Sequence, residues 1–90
     1  MDPFLGTIRV FPYGFAPRGW LECAGQVMQI VQNQALYSLI GTRFGGDGRT
    51  TFYLPDMREA EPDLSGNDTP GTRGLCRYYI ATMGIYPSRD

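Results

Sequence analysis

Catalysis needs a titratable group poised near neutral pH, or a nucleophile activated by a base beside it. This 90-residue chain has no His, and all eight of its bases are Arg. No Ser sits in a nucleophile-elbow setting. Cys23 without a His partner is a poor nucleophile, and Glu22 with Asp56 forms a carboxylate pair that no motif supports. The cluster Gly45-Gly46-Asp47-Gly48-Arg49 lacks the Lys of a phosphate loop and does not join a strand to a helix, which makes it a structural turn. Asp63, Ser65, Asn67 and Asp68 have oxygen-ligand spacing, but Asp68 stands where a calcium loop needs Gly and Gly74 where it needs Glu. That segment reads as a solvated acidic loop. The expectation is a protein that is not an enzyme, with no catalytic, cofactor-binding or metal-binding residues and no cofactor.

Charge narrows the partners. Nine acids against eight bases leave a net charge of −1 with no run of bases, whereas nucleic acid demands concentrated positive charge. Arg in place of Lys suits bidentate pairing and stacking at interfaces; a coding bias explains it equally well. No apolar run reaches the length of a membrane span, and the first residues lack the pattern of a Sec signal. Cys23 and Cys76 would close a loop of about fifty residues as a disulfide, or stay free as buried small hydrophobes. The sequence leaves both open.

The elements follow from periodicity. Twelve Gly and seven Pro predict turns and short elements, hence an α+β, β-dominated fold with antiparallel strands, one short helix and long ordered loops. Residues 6–11 alternate as a strand that Pro12 ends. The Pro- and aromatic-rich stretch 12–19 connects to a second strand at Trp20, and Ala24-Gly25 is short enough to turn it back into 26–30 as a hairpin. Trp20, beside that hairpin, is expected in the core rather than on a ligand. Leu36, Leu39 and Ile40 have helical spacing, with Asn33 as N-cap and Gly41 as stop. Thr50 to Leu54 is a strand that Pro55-Asp56 ends. Residues 59–75, with Pro62, Pro70, Glu59, Glu61, Asp63 and Asp68, form an acidic surface loop. Cys76 to Met83 returns to strand character, apolar on both faces, which suits a central or sandwiched strand.

Several blocks fall in a familiar order: Ala16-Pro17-Arg18-Gly19-Trp20, Cys23-Ala24-Gly25-Gln26, Gln32-Asn33-Gln34-Ala35-Leu36, then Gly45-Gly46-Asp47-Gly48-Arg49-Thr50 and Leu54-Pro55-Asp56. Over about residues 3 to 58 the chain resembles the phage tail collar domain of the microcystin-dependent protein family. Residues 79–89 resemble that family's usual C-terminus. The chain departs from the pattern after Met57-Arg58. There Glu59-Ala60-Glu61 replaces the usual R-G-R, and a short loop stands where relatives carry a Gly-rich body. The resemblance implies a single tail-collar-like domain over 1–90: a collar core at 1–58, an acidic surface loop at 59–75 and a C-terminal strand and tail at 76–90. Trp20, Gly45, Gly46, Asp47, Gly48, Arg49, Pro55 and Asp56 are its structural motif residues.

The function expected is structural. A chain this short covers a two-faced terminal strand poorly, so Tyr78, Tyr79, Ile80, Met83, Ile85 and Tyr86 are the candidate assembly interface. The partner is the chain itself, as a homotrimer or homopolymer, in an extracellular filament or a phage-tail-like fibre. The alternative is a trimeric adhesin module that binds a cell-surface glycan or receptor through the 59–74 loop and nearby tyrosines.

Overall fold

The computed structural model describes residues 2–58 and 76–88. It holds five strands and one helix: β1 (Ile8–Phe11), β2 (Trp20–Glu22), β3 (Val27–Gln29), α1 (Gln34–Ile40), β4 (Thr51–Tyr53) and β5 (Arg77–Ala81), with a 3₁₀ turn at Ile30–Gln32. All are short, as the Gly and Pro content requires. Strand pairing is antiparallel throughout, and the fold is α+β and strand-dominated as the sequence predicts.

The expected hairpin between β2 and β3 does not form. β2 pairs with β5, while β3 pairs with β4. The chain between β2 and β3 is engaged elsewhere: the Gly25 N–H donates to the Pro55 carbonyl, the Met57 N–H to Cys23 and the Leu54 N–H to Gln26. Residues 23–26 therefore run beside 54–57 instead of turning back. They carry the chain from the three-stranded sheet, order β1-β5-β2, to the two-stranded one.

β5 is the middle strand of the larger sheet, with β1 opposite along Ile8↔Ile80 and β2 along Leu21↔Ile80. Its two faces are both covered, as the apolar pattern of residues 78–81 demands. Ile80 lies with Leu5, Cys23, Leu36, Phe52 and Leu54 in the main core, with Leu21, Tyr37, Leu39, Ile40 and Tyr78 packed around it. This core joins the sheet to α1 and β4. Tyr79, only 1% exposed, points to the other face, where Phe11 lies 5.8 Å away ring to ring.

The helix behaves as its spacing implies, with Leu36 buried. Asn33 precedes it, but its side-chain amide donates back to the Gln29 carbonyl rather than capping the helix. Gly41 ends it at positive φ, the conformation glycine adopts without steric cost. At Gly46 the constraint is tighter. Its φ is 106°, and a Cβ there would stand 2.5 Å from Phe52 Cα and 2.7 Å from the Thr51 carbonyl oxygen. Only glycine lets the turn before β4 pass that close to the strand.

Candidate functional site

Asp47 organises the Gly-rich turn. Its Oδ1 accepts the backbone N–H groups of Arg49, Thr50 and Thr51 at 2.8, 2.9 and 2.9 Å, and its Oδ2 accepts the Thr50 hydroxyl at 3.0 Å. These bonds, the Thr51 N–H foremost, hold its carboxyl far below the usual carboxylate range. All the donors belong to the turn and to the first residue of β4, so the cluster fixes backbone and presents no cradle for a ligand. Asp56 is set in a comparable way. Arg58 donates from Nε and Nη2 at 2.9 and 2.7 Å and from its backbone N–H, lowering the Asp56 carboxyl to about 2. Glu22 faces Arg77 instead, at 3.7 Å. Glu22 and Asp56 thus each serve a different arginine and form no acid–base pair.

Among the described residues no group of three or more His, Cys, Asp or Glu side chains could hold a metal ion. The oxygen-bearing positions Asp63, Ser65, Asn67 and Asp68, and the 59–74 loop as a recognition element, lie outside the described residues. No described helix is long and apolar enough to cross a membrane. The two cysteines are free thiols rather than a disulfide. The Cys23 N–H bonds the Tyr78 carbonyl, so Cys76 lies two residues out of register. Such diagonal neighbours are roughly 7–8 Å apart, beyond the about 4.4–6.8 Å that a disulfide spans between Cα atoms. Burial, with Glu22 nearby, pushes the Cys23 thiol up to about 11.

The six candidate interface residues divide sharply. Tyr79 and Ile80 are each 1% exposed, and their strand is hydrogen-bonded on both sides within its own chain. They cannot also pair with a neighbour. Tyr78 is half-buried against the core. Beyond the strand the picture reverses: Met83, Ile85 and Tyr86 stand 64%, 51% and 51% exposed. This segment is anchored by backbone. The Leu5 N–H donates to the Ile85 carbonyl and the Ile85 N–H to that of Pro3, in a parallel bridge that brings 57%-exposed Phe4 alongside. Gly84 permits the bridge, since any Cβ there would collide with the Pro3 carbonyl oxygen. The Tyr86 hydroxyl reaches Ser38 Oγ at 2.7 Å.

Sequence reading missed the surface that adjoins these residues. Phe11, Tyr13 and Phe15 stack one on the next at 5.6 and 5.5 Å with nearly parallel rings, and Trp20 meets Phe11 edge-on at 5.1 Å. The Arg9 guanidinium carbon lies 6.0 Å from the Trp20 ring centroid. The Tyr79 hydroxyl donates to the Tyr13 carbonyl at 2.7 Å, tying the ladder to β5. Trp20 is half-buried within this cluster rather than in the main core. Trp20 also lines a groove of about 390 Å³ together with Asp2, Pro3, Arg18, Met83 and Ile85, with Gly19 and Gly84 in the same lining. The i, i+2, i+4 spacing of the three rings was the available signal, obscured by Pro12, Gly14 and Pro17.

Strands and turn thus define a small β-dominated domain whose most ordered polar clusters are structural and whose apolar excess lies on the surface. The phage tail collar domain model matches residues 6–66, more than half of the chain, and the chain belongs to that family. No curated protein and no solved structure gave a match.

Proposed function

We propose that this protein is a non-enzymatic structural component of a phage-tail-like particle or extracellular fibre, and that it works as a homotrimer or homopolymer. Membership of the tail collar family supports the structural role and the tail-associated location. The observation that carries self-assembly is the apolar surface formed by Phe4, Met83, Ile85 and Tyr86 together with the ladder that ends at Phe15. Phe15 is 69% exposed. Taking about 200 Å² for a large side chain, these five residues present on the order of 600 Å². That is the upper end for the largest patch on a monomer and about three quarters of one partner's share of a stable interface.

This reading moves the assembly element. β5 is consumed by its own sheet, so the contact falls to residues 83–86 that follow it, and residues 2–58 and 76–88 form one folding unit. Removing 76–90 would test folding rather than assembly. Size-exclusion chromatography with light scattering, and electron microscopy of concentrated protein, test the proposal. A trimer or a filament is expected, and a strict monomer at high concentration would overturn it. Met83→Asp with Ile85→Asp should return the assembly to monomers while leaving the circular dichroism spectrum intact.

A further inference from the structure

The groove beside Trp20 has a lining that selects its occupant. Arg18 supplies a cation that attracts the face of an aromatic ring. Met83 supplies a thioether, which makes favourable contacts with ring edges. Trp20 supplies an indole for edge-to-face or offset packing. Gly19 and Gly84 add no side chains to the lining, Pro3 and Ile85 add apolar surface, and Asp2 adds a carboxylate. Three different groups therefore favour one kind of guest, an aromatic side chain, in a space of about 390 Å³.

The same chain presents such a side chain. Phe15 is the most exposed aromatic among the described residues. It is held outward at the end of the ladder by stacking on Tyr13, which stacks on Phe11, while the Tyr79 hydroxyl fixes the Tyr13 backbone. Its position costs little further ordering on binding, the condition under which an exposed anchor contributes most. The stacking also argues against a sugar as the ladder's partner. The facing sides of Phe11, Tyr13 and Phe15 are spent on one another, and only the outer face of Phe15 is free.

We infer that Phe15 of one copy inserts into the groove formed by Arg18, Trp20, Met83 and Ile85 of the next copy. The inference rests on the self-assembly proposed above and specifies its contact. Made from each copy to the next rather than exchanged between two copies, the contact is head-to-tail. It closes into a ring if the rotation allows and otherwise propagates as a filament, the two forms expected of this chain.

The experiment uses the full chain carrying Cys76→Ser, so that the remaining native thiol, Cys23, is buried. Ala16→Cys, next to the knob, and Asp2→Cys, in the groove lining, are both exposed positions that leave Phe15, Trp20 and Met83 in place; the two variants are prepared separately, mixed and treated with a short thiol-to-thiol cross-linker. Cross-linked dimers confined to the mixture are expected. Phe15→Ala should weaken self-association about thirtyfold or more, the loss typical of a truncated aromatic anchor, with an unchanged melting temperature at dilution. An oligomeric wild type whose mixed variants fail to cross-link, or an Ala16→Cys variant that cross-links to itself as readily, would overturn the contact while leaving assembly standing. A monomeric wild type would remove assembly itself.

Discussion

The two faces of β5 are buried by different means. On the Ile80 side, residues from β2, α1, β4 and the N-terminal segment close a continuous apolar core. On the Tyr79 side the described residues supply no second layer of secondary structure. A loop of aromatic and proline residues folds over the sheet, and its rings are themselves partly in water: Tyr13 is 42% exposed. One face is finished by the domain and the other is left with an apolar outer skin. In a small protein this is where a partner gains most, because the skin is rigid and already desolvated on its inner side.

The strongest way to break this contrast is to cut into the finished side. Ile80→Ala should destabilise by about 2–5 kcal/mol, the cost of an unfilled core cavity, read as a loss of midpoint in urea unfolding. If the loss fell well below that range, the main core would be looser than its burial indicates. On the other face, Tyr79→Phe keeps the ring and removes only the hydroxyl's bond to the Tyr13 carbonyl. It should cost about 1 kcal/mol and speed amide exchange across residues 12–19. Unchanged exchange would mean that the ladder holds without that tether.

Asp47 probes the support behind the core side. Asp47→Ala should lower the melting temperature more than Asp47→Asn, which keeps an oxygen for the three N–H groups. The sign with pH follows from the lowered pKa. The carboxylate's contribution is complete above about pH 4, where the unfolded Asp is ionised, and is lost as pH falls toward the much lower folded value. Acid sensitivity in that window should therefore shrink in either variant, as a pH series of melting curves would reveal. The smallest expected change concerns the thiols. At pH 8 an alkylating reagent should modify Cys76 and spare Cys23 until unfolding, since Cys23 is buried and its thiolate disfavoured. Mass spectrometry counts the labels.

Much of the fold was legible because its signals are local. The alternation at Ile8 to Phe11, the helical spacing of Leu36, Leu39 and Ile40, and the stop at Gly41 need no knowledge of distant residues. The pairing was not legible to the same degree. Ala24-Gly25 has the length of a hairpin turn, but the bonds that decide its course come from Pro55, Leu54 and Met57, thirty residues on. Tyr79 and Ile80 read correctly as a doubly apolar strand. Whether the cover came from β1 and β2 or from a neighbour depended on register, which no window of sequence contains. Ile8 aligns with Ile80 yet is 39% exposed, because β1 is an edge strand and only its inner side is roofed. The groove was invisible for the same reason, since it joins residues 2–3, 18–20 and 83–85.

The central place of β5 also sets the order of events when the chain is made. β1 and β2 emerge early, but the strand that lies between them comes about seventy residues after Phe11, several seconds at synthesis rates of about 5–20 residues per second. During that interval two sheet edges stand apart with nothing to join them. The domain is therefore a clasp whose tongue arrives last, and its Phe11–Tyr13–Phe15 ladder, tethered through Tyr79, can become rigid only after the clasp has shut. Under the assembly proposed above, competence to associate would in this way be delayed until folding is complete.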